Sequence, residues 1–133
     1  MALHKINPDT LARPHGFAQI MVGTGSKIVV TSGQVGVDKD HKLVGSDYRS
    51  QARQAAENVY LAIAAAGGTP ADIARLMLYV VDASPANLEE VYAGLGEAGA
   101  VAGGKATTMT LIGVMALSDP AWLVEMDATA ILD

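Results

Sequence analysis

The sequence predicts an α+β domain in the order β-β-α-β-α-β-β, with two helices packed on one face of a mixed sheet. Three observations predict it. Two stretches carry apolar residues at three- and four-residue steps between clear start and stop signals. Short β-branched runs precede, separate and follow them. The chain has 133 residues and no break in composition, so residues 1–133 read as a single domain.

Residues 1–16 read as irregular, with Pro8 and Pro14 as breakers. Residues 17–22 and 27–32 read as a hairpin, because Gly23-Thr24-Gly25-Ser26 between them is turn chemistry. A polar loop over 38–46 follows. Asp47 or Ser46 then caps a helix whose apolar face is Ala52, Ala55, Ala56, Val59, Ile63 and Ala66. Gly67-Gly68 stops it and Pro70 blocks its continuation. Residues 76–81 read as a buried strand. Ser84-Pro85 opens the second helix, with Leu88, Val91, Tyr92 and Leu95 as its stripe. Glycines 94, 96 and 99 are expected to weaken its end. Residues 106–116 and 123–132 read as the last strands. The first is apolar or threonine on both parities, which predicts cover on both sides. Two helices cover only one sheet face, so contacts between subunits are expected on the other.

Composition narrows the function. The formal charge is −5 and the nine basic residues are scattered, which argues against a nucleic-acid binder. With no cysteine, thiol catalysis, disulfides and Cys-based zinc sites are excluded. His4, His15 and His41 lack metal-ligand spacing, so no metal is expected. No apolar run approaches the roughly 18 residues of a membrane span, and the start carries no signal-peptide stretch. A cytoplasmic protein is the expectation. Residues 99–105 approximate a phosphate-binding loop, but Ala106 stands where Ser or Thr is required and the loop leads into a strand, so that motif is rejected.

Two segments at opposite ends read as one candidate site. The run 27–31 feeds into Ser32-Gly33-Gln34, where glycine permits either close ligand approach or a bulge. The run 122–130 places Glu125 and Asp127 in an otherwise apolar strand. On a strand they share one face, about 6.5–7 Å apart. They are either a proton-handling pair or two solvated acids. Phe17, the one phenylalanine, walls a cleft or fills the core.

These segments resemble the Rid family of reactive intermediate deaminases, also called YjgF or L-PSP endoribonuclease-like proteins. The carriers are Gly16-Phe17-Ala18-Gln19, Thr31-Ser32-Gly33-Gln34-Val35, Gln51-Ala52-Arg53-Gln54-Ala55-Ala56-Glu57-Asn58-Val59, Thr110-Leu111-Ile112-Gly113-Val114 and Leu123-Val124-Glu125-Met126-Asp127-Ala128. The resemblance implies a chorismate-mutase-like fold, a homotrimer, and small-molecule clefts between subunits. It also implies cofactor-free hydrolysis of 2-imino or 2-enamino acids to 2-keto acids and ammonia.

By that resemblance, the Gly33 carbonyl and Glu125 align and activate the attacking water. Phe17 and Ser32 line the cleft, Phe17 without the usual tyrosine hydroxyl. Backbone near Thr110 and Leu111 contacts the substrate. The arginine that clamps the substrate carboxylate falls on Met109, between Thr108 and Thr110. Methionine offers no donor, and losing such an anchor costs ~2–5 kcal/mol. That is about 30- to 4,000-fold in affinity. Lys105 lies ~13 Å along a strand from Met109 and reads as a solvated lysine. Arg13, in the irregular start, is a candidate to reach a neighbouring subunit's cleft. The expected function is hydrolytic deamination of small imines or enamines with an altered substrate range. The alternative is a non-catalytic, metabolite-binding homotrimer; a ribonuclease is disfavoured by the acidic balance.

Overall fold

A computed structural model describes residues 2–133. The strands are β1 (Ala2–Ile6), β2 (Ile20–Thr24), β3 (Lys27–Val30), β4 (Gln34–Val35), β5 (Ile73–Val81), β6 (Thr108–Val114) and β7 (Val124–Leu132). The helices are α1 (Tyr48–Ala65) and α2 (Pro85–Ala102), with a 3-10 turn at Pro70–Asp72. The main sheet runs β3-β7-β5-β6, and β4 also pairs with β7. β5 and β6 are parallel while β7 is antiparallel to its neighbours, so the sheet is mixed. The predicted α+β class, with two helices on one sheet face, is what the chain adopts.

Both helices begin where their sequences put the caps. Asp47 accepts from the backbone N–H of Ser50, and Ser84 accepts from that of Asn87. The core lies between the helices and one sheet face. Ala52, Ala55, Ala56, Val59 and Ile63 of α1 meet Leu76, Leu78 and Val80 of β5 and Val124, Met126, Ala128 and Ala130 of β7. Alternation along β7 is strict: even-numbered residues are buried and odd-numbered ones half-buried. The opposite sheet face carries Ile28 and Val30, 75% and 70% exposed in the single chain.

The structure corrects the sequence reading in four places. The first residues are not irregular, because β1 pairs with β2 in a separate two-stranded sheet. The expected hairpin does not form: β3 pairs with β7 instead of β2. β7 is the longer partner, nine residues against five, and it holds β3 through Lys27↔Leu132 to Val30↔Thr129. β6 is shorter than residues 106–116, running from Thr108 to Val114 at the edge of the sheet. The glycines of α2 do not fray it, since the helix continues to Ala102 and closes on left-handed Gly103.

Gly94 is instead the point where the helices touch. A Cβ there would overlap the Arg49 carbonyl oxygen and lie 2.9 Å from the Arg53 nitrogen. Backbone cannot swing aside as a side-chain tip can. Gly94→Ala is therefore expected to destabilise the fold by about 2 kcal/mol net. Overpacking outweighs the roughly 1 kcal/mol gained in helix propensity. Thermal unfolding followed by circular dichroism reads this directly, and an unchanged or higher Tm would contradict the close approach.

Candidate functional site

The candidate site is built by the bulge between β3 and β4 and by the strand opposite. From Val30↔Thr129 to Gln34↔Met126, the first strand spends three residues, 31–33, where β7 spends two, 127 and 128. That extra residue is a β-bulge. Thr31 anchors it from both sides: its N–H donates to the Ala128 carbonyl, and its hydroxyl accepts from the Ala128 N–H, each at 3.0 Å.

The bulge places Gly33 under the Glu125 side chain. A Cβ built at Gly33 would overlap Glu125 Oε1, with Cδ at 2.7 Å and Cγ at 2.9 Å. Only glycine leaves room for the carboxylate where it lies. Of the alternatives for Gly33, bulge and close approach are both present, and the close approach is to a side chain. Glu125 is half-buried. Among the described residues no donor hydrogen-bonds its carboxylate, which leaves both oxygens for water or ligand. Asp127 stands on the same face, but the Tyr79 hydroxyl donates to its Oδ2 at 2.8 Å. That bond raises the Tyr79 pKa above the ordinary tyrosine value, with burial and the nearby carboxylates adding to it. Tyr79 sits directly across the strand pair from Glu125. Sequence reasoning missed it because strand 76–81 read as core on both faces; alternation against Glu125 was the available signal.

The positions of Gly33 and Glu125 depend on two amides of α1, one buried and one half-buried. Gln51, 0% exposed, donates to the carbonyls of Gly45 and Ala121, both at 3.0 Å, and accepts from the Leu123 N–H at 2.8 Å. It thereby holds the lead-in to β7. Asn58 donates to the carbonyls of Val35 and Val37 at 3.1 and 2.9 Å and holds the exit of the bulge.

The other expected site residues are divided between this face, the opposite face and the loop before β2. Ser32 is exposed in the bulge beside Gly33. Thr110 shares the Glu125 face of the sheet, in register with Met77, which is opposite Asp127. Met109 and Leu111 point the other way. They pair with Leu76 and Leu78 and pack against the core under the helices. The Met109 side chain is therefore not on the face of Glu125. The strand begins at Thr108, and its parity is set by β5.

Phe17 is also remote from Glu125. The Ala18 N–H donates to the Thr107 carbonyl at 2.9 Å, so Phe17 lies at the start of β6, level with Arg75. Glu125 is level with Tyr79. The separation is about 13 Å along the strands and about 10 Å across two strand spacings. Within one chain Ser32, Gly33 and Glu125 therefore lie together, and Phe17 lies apart from them.

Comparison with known proteins agrees with this architecture. The sequence profile of the Endoribonuclease L-PSP family matches residues 10–132. YyfB from Yersinia pestis, described as a protein of unknown function of the conserved Rid family, superposes with a TM-score of 0.88. The two are 35% identical, over 99% of this chain and 100% of YyfB. The YjgF gene product of E. coli is 25% identical over 86% of this chain and 87% of its own, with a TM-score of 0.70. A 2-iminobutanoate/2-iminopropanoate deaminase of Salmonella typhimurium is 42% identical over 55 residues. That match spans 41% of this chain and 43% of the deaminase, less than half of either. The profile match over nearly the whole length, with the shared two-helix mixed-sheet fold, shows that the chain belongs to the Endoribonuclease L-PSP family, the Rid/YjgF proteins.

Proposed function

We propose that this protein hydrolyses small reactive imines or enamines, without a cofactor, in clefts formed between copies of the chain. The observation that carries this reading is the Glu125 carboxylate seated over Gly33 with no donor bonded to it among the described residues. A half-buried, unpaired carboxylate beside an open backbone bulge is suited to take a proton from water. Similarity to the Salmonella imine deaminase supports the reaction class.

In the proposed reaction the Gly33 carbonyl accepts one hydrogen of the water and Glu125 takes the other as a proton. The water oxygen bonds to the imine carbon, and the C=N π pair moves to nitrogen. Glu125 returns its proton to that nitrogen, giving a carbinolamine. The carbinolamine hydroxyl then loses its proton through Glu125 to the amine. The C–N bond breaks, ammonia leaves and a carbonyl remains. Water supplies the oxygen and two hydrogens, so atoms balance. The separation of Phe17 from Glu125 within one chain supports a cleft in which one copy brings Phe17 and the next brings Gly33 and Glu125. The exposed Ile28 and Val30 offer apolar surface for that contact.

The test is an imine-hydrolysis assay. An amino-acid oxidase generates imines from several amino acids while semicarbazide traps them. The protein is expected to lower the yield of trapped adduct. No acceleration with any amino acid, beside an active family control, would refute the proposal. The absence of a cation at Thr107-Thr108-Met109-Thr110 favours one competing reading, a binding protein without turnover. A ligand-dependent rise in Tm without product would identify that case. The net charge of −5 disfavours ribonuclease action.

A further inference from the structure

We infer that the N-terminal loop supplies a carboxylate-binding pocket, with Arg13 as its anchor and Lys5 beside it. This inference rests on the imine-hydrolysis reading for its catalytic meaning and specifies how that site would choose substrates. The segment between β1 and β2 is a closed loop, not a loose tail. It leaves the sheet at Ile6 and returns at Ile20, which are paired with each other. Gln19 ties the two limbs: its backbone N–H donates to Asn7 Oδ1 at 2.8 Å and its Nε2 donates to the Ala12 carbonyl at 2.7 Å. The Ala18–Thr107 bond docks the loop on the start of β6. That is where the family arginine is expected and where this chain has none.

The loop encloses an open cavity of about 750 Å³ that Arg13, Lys5 and Phe17 line together, with Leu11 as a further apolar wall. Lys105 lines the adjoining cavities across Ala106. Two of the nine basic residues of a chain with net charge −5 therefore line this cavity, and a third lines its neighbours. Two acids are near. Asp72 is engaged by the Thr69 N–H and hydroxyl. Asp9 lines the cavity, and no ion pair joins it to Arg13 among the described residues. Arg49 and Arg53, by contrast, are paired with Glu97 and Glu57. An exposed guanidinium that lines the same cavity as an aromatic ring, with no protein carboxylate paired to it among the described residues, matches a small monocarboxylate with a short apolar body. The ligand class is a 2-imino or 2-oxo monocarboxylate, gripped from the loop and not from β6.

Pyruvate serves as the probe, titrated by thermal shift into wild type, Arg13→Gln and Lys39→Gln, the last lying in the 38–43 loop outside the cavity. Wild type and Lys39→Gln are expected to bind alike, and Arg13→Gln about tenfold or more weakly. In the imine assay Arg13→Gln is expected to raise KM with kcat little changed. Equal pyruvate binding by Arg13→Gln, or none by wild type, would overturn the pocket. So would inorganic phosphate binding in preference to pyruvate, which would mark a general anion patch. The two proposals fail separately. Arg13-dependent pyruvate binding without imine turnover removes the reaction and keeps the pocket. Turnover with KM unchanged in Arg13→Gln removes the pocket and keeps the reaction.

Discussion

Glu125→Gln is expected to leave the fold intact and lower imine turnover by roughly 10²- to 10⁴-fold, the usual worth of a positioned general base. Glutamine keeps the shape of the side chain and its seat over Gly33 but cannot take a proton from water. No protein donor engages the carboxylate among the described residues, so the substitution breaks no hydrogen bond. The Tm is therefore expected to stay within a few degrees. Gly33→Ala tests the same geometry from the other side. Its methyl group would occupy the space of Glu125 Oε1, and the flexible tip would swing away at little cost in stability. Misplacing a reacting group by about 1 Å can cost 10²-fold, so a large loss of kcat with a near-normal Tm is the expected signature. Full activity in both variants would remove Glu125 from the mechanism. Collapse of Tm in Glu125→Gln would make its role structural.

Gln51→Leu is expected to carry the largest stability loss. The buried amide makes three hydrogen bonds, and an apolar replacement of similar size leaves two carbonyls and one N–H without partners. Each orphaned group costs ~1–3 kcal/mol, less where water can enter. A net loss of about 3 kcal/mol or more follows, a Tm drop on the order of 10 °C for a domain of this size. Urea unfolding should show a lower midpoint with an unchanged slope. Because Gln51 holds Leu123, two residues before Glu125, turnover measured well below the new Tm is also expected to fall. A variant with normal stability would mean that these groups find other partners, and the assigned fastening role would be wrong.

The resemblance in the Gln51–Val59 segment thus has a physical basis. Gln51 and Asn58 are the two amides that bind the loops carrying Glu125 and Gly33 to α1. In the sequence they read only as polar positions in an amphipathic helix. Apart from Gly45, six residues before Gln51, these partners lie 21 to 72 residues away. No periodicity reports such contacts. Tyr79 escaped for the same reason, since its bond to Asp127 spans 48 residues.

By itself, the sequence determined the α+β class, both helices with their N-caps, the family, and that the Gly33 and Glu125 segments come together. These follow from signals that a chain carries locally: 3.6-residue periodicity, a capping oxygen, a proline at the first helical turn, and motifs in order. Tertiary structure alone decided which strands pair, which way Met109 faces, and that residues 7–19 form a pinned loop whose Arg13 and Phe17 line one cavity. Strand pairing is a contest among distant partners, and β7 won β3 from β2 across a hundred residues of chain. Facing in a strand has a period of two, so parity at Met109 is set by the neighbouring strand. A loop's shape rests on the few polar contacts that close it, and here those run from Gln19 back to Asn7 and Ala12.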